Sequence, residues 1–355
     1  SILRFLQPVL TSSLYFFSFV SGAAALIYQV AWTKMLALSF GGTTLAMSAV
    51  VAGFMGGMGI GAWRYHRLDR RIGAPLATYA GLELGIAAST FLLTLVLQAL
   101  PRAVARATPW IPEVAGMDDL VRVGSAFALL LLPAALMGAT YPALCSVLIR
   151  SRQGVDLHLG RIYGLNTIGA AVGALLAGLI TVEHLGLRGS VLLANLLNLG
   201  VGLGAWALYR RQARPVGTPA AASDEVLPSA LPLAVLAALL VVSGFATLGY
   251  EIAWFRAIRY LVGNSTYALT TVLVVFLIGL GFGALLYRPM IRRLRPEWAL
   301  ALCQLAIAAF ALAAVAIAHQ LLNDSALRDR LSVFSPVFRA RPWEWRLTRT
   351  SGLAG

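Results

Sequence analysis

The chain has 355 residues, and its 28 Lys and Arg against 14 Asp and Glu give a formal charge of +14. Only 12% of positions are charged and 59% are hydrophobic, with a mean hydropathy of +0.80, whereas a soluble domain carries about twice that charge. These figures exclude an ordinary soluble enzyme and point to an all-α, polytopic membrane protein.

Nine apolar runs, each long enough to cross a ~30 Å hydrocarbon core, are expected at about 9–37, 43–64, 76–100, 122–148, 162–183, 188–209, 230–260, 266–287 and 297–320. The first is too long for a cleavable signal peptide. After the second run comes the densest basic loop, Arg64, His66, Arg67, Asp69, Arg70 and Arg71. Arg150, Arg152 and Arg161 flank the loop after the fourth run, and Arg210, Arg211 and Arg214 follow the sixth. Arg288, Arg292, Arg293 and Arg295 follow the eighth. By the positive-inside rule these four loops and the N-terminus are cytoplasmic, so the charge needs no nucleic-acid partner. Residues 101–121, with Pro101, Pro109, Pro112 and the pair Asp118–Asp119, then lie outside. The tail from 321 carries six arginines with Trp343 and Trp345 and falls on the outer side, against the charge rule. Cys145 and Cys303 sit within apolar runs and read as small buried hydrophobes, with neither a disulfide nor a metal pair expected.

The chain repeats itself. Ser21–Ala62 begins SGAAALIYQVAWTK and ends FMGGMGIGA, and 222 positions later Ser243–Ala284 begins SGFATLGYEIAWFR and ends FLIGLGFGA. Tyr28/Tyr250, Trp32/Trp254, Phe54/Phe276 and the glycines at 57/279, 59/281 and 61/283 align without a gap, and Lys34 meets Arg256. Six runs separate the copies, an even number, which makes a parallel repeat about an axis along the membrane normal. The expected domains are a six-helix repeat at 1–209, a cytoplasmic linker at 210–229, an incomplete three-helix repeat at 230–320 and an extramembrane tail at 321–355.

The pattern SGxxxLxYxxxW, the glycine-rich FxxGxGxG and the basic loop after it resemble the membrane portion of bacterial fused transporter/spermidine-synthase proteins. Met137-Gly138-Ala139-Thr140-Tyr141-Pro142, Gly160–Ala170 and Leu185–Gly189 are similar to that family as well. The resemblance implies a multi-pass protein of the bacterial inner membrane. It also implies a soluble aminopropyltransferase domain after the helices, for which this chain shows no glycine-rich strand–turn–helix, so no such enzyme activity and no cofactor are expected. Gly57-x-Gly-x-Gly61 followed by Leu68-Asp69-Arg70-Arg71-Ile72-Gly73 resembles the helix-latching loop of major-facilitator transporters. The second copy keeps the glycines and arginines there but not the Asp.

Gly53, Gly57 and Gly61, and Gly279 and Gly283, are four residues apart and share helix faces, where small size lets another helix approach. Gly169/Gly173 and Gly200/Gly204 repeat the spacing. Tyr28 with Trp32, and Tyr250 with Trp254, share a face by the same spacing. They read either as an interfacial belt or packing, or as an aromatic wall for a cation. Gln29 in the first copy becomes Glu251 in the second, an intramembrane carboxylate and so a candidate by default. Tyr250, Glu251 and Trp254, with Tyr28, Gln29 and Trp32, would suit a polyamine; Lys34 or Arg256 would instead make Glu251 part of a structural ion pair. Glu83, two turns into the third run, is expected to pair with the arginines of the preceding loop, and Asn166, Asn195 and Asn198 to hydrogen-bond across helices. Glu183-His184 lacks further ligands for a metal.

Two functions are expected from these residues. One is a non-catalytic accessory or scaffold subunit, docked through its glycine faces and tail to other membrane subunits or to itself. The other is binding or transport of a small organic cation such as a polyamine.

Overall fold

A computed structural model describes residues 2–40, 44–107, 117–150, 155–211, 232–262, 266–291 and 296–323. The linker from 212, the tail beyond 323, residues 108–116 of the surface segment and the Arg256 side chain lie outside the described residues. Every described element is helical: α1 (Ile2–Phe40), α2 (Thr44–Ile72), α3 (Pro75–Ala107), α4 (Met117–Arg150), α5 (Val155–Leu176), α6 (Val182–Arg211), α7 (Leu233–Val262), α8 (Thr266–Ile291) and α9 (Pro296–Asn323).

Six stretches among them are long and apolar enough to cross a membrane: Leu10–Leu38, Pro75–Leu100, Gly124–Leu148, Leu159–Arg211, Ala237–Phe255 and Trp298–Ile317. Nine were expected, and the difference has physical sources. The apolar part of α8, Thr270–Leu286, is shorter than the rest. α2 ends in arginines and is not among the six. α5 runs through a π-helical turn, Ala177–Thr181, into α6, so the runs expected at 162–183 and 188–209 fall within one stretch of 53 residues, with the kink at Gly186 between them. At 1.5 Å per residue such a stretch is roughly 80 Å long, more than twice the hydrocarbon thickness. Gly186, with φ 68° and ψ −179°, breaks its helical geometry.

The chain divides into two compact units, Ser1–Ser243 with Leu273–Leu285, and Gly244–Val272 with Leu286–Gly355. In the first, α2 lies against α4, α1 against α5 and α6, and α3 against α4 and α6. Lipid gives apolar side chains no reason to leave it, so helices associate here through close packing and polar contacts. The glycines supply the closeness. A Cβ on Gly61 would fall on the Ala135 carbonyl, and one on Gly138 on the Met58 carbonyl, so α2 and α4 touch backbone to backbone. A Cβ on Gly53 would lie 3.1 Å from Phe127 Cα, and one on Gly57 2.9 Å from the Leu131 carbonyl. α1 and α5 are joined likewise: Gly22 abuts the Asn166 carbonyl, Gly169 abuts Phe19 and Gly173 abuts Ala23. Leu14, Tyr79, Leu144, Ile162 and Val201 belong to one buried cluster that ties α1, α3, α4, α5 and α6 together.

Helix ends follow local rules. α2 stops at Ile72 because Gly73 takes φ +66° and returns its N–H to the Asp69 carbonyl at 2.9 Å, a left-handed cap suited to glycine. Pro75 then opens α3, where a missing N–H costs nothing. In the second unit, no residue of α9 from Leu300 to Ile317 is buried.

Candidate functional site

The polar residues of the first unit converge on α1, α3 and α6. Tyr28 and Trp32 are both fully buried, their rings stacked with centroids 5.0 Å apart and planes at 18°. They are therefore core residues and not an interfacial belt, and Gln29 between them is buried too. The Tyr28 hydroxyl donates to Asn195 Oδ1 on α6 at 2.8 Å. Thr90 Oγ1 on α3 lies 2.5 Å from that same oxygen, 3.2 Å from the Tyr28 hydroxyl and 2.7 Å from the Ile86 carbonyl. Two hydroxyl protons, from Tyr28 and Thr90, thus serve the Asn195 amide oxygen and one helix carbonyl.

Below this knot, roughly 12 Å from the start of α3 by helical rise, sits Glu83. Its side chain is fully buried, and neither carboxylate oxygen has a hydrogen-bond partner. The Ser21 and Tyr79 hydroxyls are the nearest donors to it, short of full hydrogen-bond geometry, and Tyr28 is near enough to feel its charge. The Tyr79 hydroxyl, one turn before Glu83 on the same helix face, is also buried without a partner. Asn198 Oδ1, Asn195 Nδ2 and Trp32 Nε1 are further unpartnered polar atoms in this unit. The expectation that the preceding arginines neutralise Glu83 is corrected here. It points into the bundle, and no described cation pairs with it. Burying an unpaired carboxylate costs several kcal/mol. Such a group must take a proton, receive a cation, or become exposed when the helices move.

The other sequence candidates are distributed as follows. Asn166 Nδ2 donates to the Ser18 carbonyl at 3.0 Å and Ser18 Oγ to the Ile162 carbonyl at 3.1 Å, so Asn166 and Asn195 bond across helices as expected, while Asn198 Oδ1 does not. Lys34, half-buried on α1, feels the charge of Glu183 at the start of α6, and lines a shallow groove with Ala37, Leu38, Val182 and Leu187. Glu251 on α7 is 8% exposed, with Tyr250 and Trp254 half-buried. Of the second copy's glycines, Gly279 and Gly283 have nothing within 4 Å of an added Cβ; Gly281 is the one that packs, 2.9 Å from Ile168. The packing face is thus displaced from the expected one. Among the described residues no group of three or more His, Cys, Asp or Glu is placed to hold a metal ion; Cys145 and Cys303 form no disulfide and are half-buried, not the buried hydrophobes expected.

Sequence reasoning placed Glu83 at the right depth and the wrong azimuth. The signal available was its neighbours on the helix: Tyr79, Thr90 and Thr94 fall on the same side of α3, and all three are buried. No family model, curated protein or solved structure matches the chain.

Proposed function

We propose that the chain is a membrane transport module for a small organic cation, and that Glu83 supplies the negative charge the cation answers. The observation that carries this reading is the fully buried Glu83 carboxylate, with no described cation beside it, inside a polar cluster of Ser21, Tyr28, Tyr79, Thr90 and Asn195. Intramembrane carboxylates of this kind mark ion and substrate pathways. Glu83 is fully buried in this arrangement, so access for a cation requires the glycine-packed helices to shift. A polyamine is the solute class that the sequence resemblance suggests. In the same reading the chain crosses the bacterial inner membrane nine times as a parallel repeat with a cytoplasmic N-terminus. The length of the α5–α6 stretch and the arginines ending α2 and α6 support that topology. Among the described residues Glu251 is the second buried carboxylate, and it is the repeat-related counterpart of Gln29.

A thermal-shift titration of the purified chain with spermidine tests the reading. Wild type gains stability with concentration, and Glu83→Gln loses the gain; an unshifted wild type removes the reading. Glu251→Gln run beside it tells whether the second carboxylate contributes.

A second reading, an accessory subunit of a larger membrane complex, is favoured by α9, whose stretch from Leu300 to Ile317 has no buried residue. Gentle extraction and mass spectrometry of stoichiometric partners tests it: a recurrent membrane protein supports a subunit, and a chain that purifies alone counts against one.

A further inference from the structure

The arginines at the end of α2 form a one-sided surface. At roughly 100° per residue, Trp63, Arg64, His66, Arg67, Arg70 and Arg71 fall within an arc of about 160°, and all six side chains are exposed. The opposite side carries Tyr65, which is buried, and Leu68 and Asp69, which are half-buried. The basic face is therefore directed away from the bundle.

Trp63 is 68% exposed, and two guanidinium groups lie over its ring: Arg64 at 5.8 Å and Arg67 at 5.6 Å from the centroid. An indole takes its favoured place at the boundary between hydrocarbon and headgroups. A ring at that depth fixes the depth of the arginines around it. Cation–π contact keeps both guanidinium groups beside the ring, and each has five N–H donors to offer another acceptor. One acidic residue, Asp69, accompanies the four arginines of this segment, and it lies on the other face.

We propose that Trp63, Arg64, Arg67, Arg70 and Arg71 form a binding surface for the phosphate headgroup of an anionic phospholipid. The helix delivers these residues to the membrane boundary, where phosphodiesters are the concentrated anion, and clusters of four or more basic residues beside a span retain such lipids. Arginine suits the task because its fork meets two phosphate oxygens at once. Nucleic acid or an acidic protein would meet the same charge but has no use for a tryptophan at headgroup depth. The inference is independent of Glu83.

The test uses the full chain in detergent, titrated with dioleoyl-phosphatidylglycerol or with dioleoyl-phosphatidylcholine and followed by native mass spectrometry and melting temperature. Phosphatidylglycerol is expected to remain bound and to raise the melting temperature by several degrees, with phosphatidylcholine doing neither. R64Q/R67Q should cut phosphatidylglycerol retention about tenfold, and R64K/R67K should keep most of it, which separates lost charge from lost folding. Equal retention of the two lipids overturns the proposal, as does an R64Q/R67Q variant that binds like wild type. Glycerol phosphate or inorganic phosphate reproducing the whole effect would also overturn it, since the site would then be one for a free anion.

Discussion

At the scale of single residues, burial and hydrogen bonding separate groups that the sequence treats alike. Tyr28 and Tyr79 are both fully buried, but Tyr28 donates to Asn195 while Tyr79 meets Glu83 and Ser21 short of a full hydrogen bond. Removing the Tyr28 hydroxyl takes one of two donors from Asn195 Oδ1, at a cost of about 1 kcal/mol, whereas removing a hydroxyl without a full hydrogen bond costs less. Tyr28→Phe should therefore lower stability by about 1 kcal/mol and Tyr79→Phe by less, as read by denaturant unfolding in mixed micelles. Glu83→Gln should leave the melting temperature unchanged or raise it, because the substitution removes an uncompensated buried charge and keeps the shape. A Gln variant that melts well below wild type would make Glu83 a structural group whose partner is missing from this account. The sequence alone could place Glu83 two turns into α3, since rise per residue is fixed. It could not say which way the side chain faces, because polar residues occur on more than one side of that helix. The buried setting of Tyr28 and Trp32 was hidden for a similar reason: an aromatic pair four residues apart reads the same at an interface and in a core.

At the scale of helices, glycine spacing was the most legible feature and also shows where legibility ended. The triplet Gly53, Gly57, Gly61 meets α4 as its spacing implied, with backbone contact at Gly61 and Gly138. In the second copy three alternate glycines offer two faces, one through Gly279 and Gly283 and one through Gly281. Spacing gives both faces and does not choose. The neighbour chooses, and Ile168 and Gly164 lie against Gly281. Gly61→Ala should consequently cost about 1–3 kcal/mol through overpacking. Gly283→Ala should be neutral or stabilise by up to about 1 kcal/mol, since glycine weakens a helix interior. Thermal unfolding of the two variants side by side checks this, and equal destabilisation would contradict it. The π turn at Ala177–Thr181 was not legible, because its residues are apolar and helix-compatible, whereas the kink at Gly186 falls in the polar gap from Glu183 to Arg188 where two runs were expected to part.

At the scale of the whole molecule, composition gave the membrane class directly, because 12% charge cannot clothe a soluble surface of this size. The number of crossings is set less directly, by where the helices bend and by which ends carry arginine. In the proposed topology Gly73 and Gly186 lie on opposite sides of the membrane. Single cysteines placed at these two positions, in a chain lacking Cys145 and Cys303, should react with an impermeant maleimide from opposite faces of sealed vesicles. Labelling from one face would break the assignment.

The most direct measurement is uptake of labelled spermidine by proteoliposomes containing the wild-type chain or Glu83→Gln, with matched protein content and melting temperature. The account predicts saturable uptake above empty liposomes for wild type, and a loss of at least tenfold for the Gln variant, about 1.4 kcal/mol or more. Uptake that is equally fast in both would contradict it and leave Glu83 without the role assigned to it.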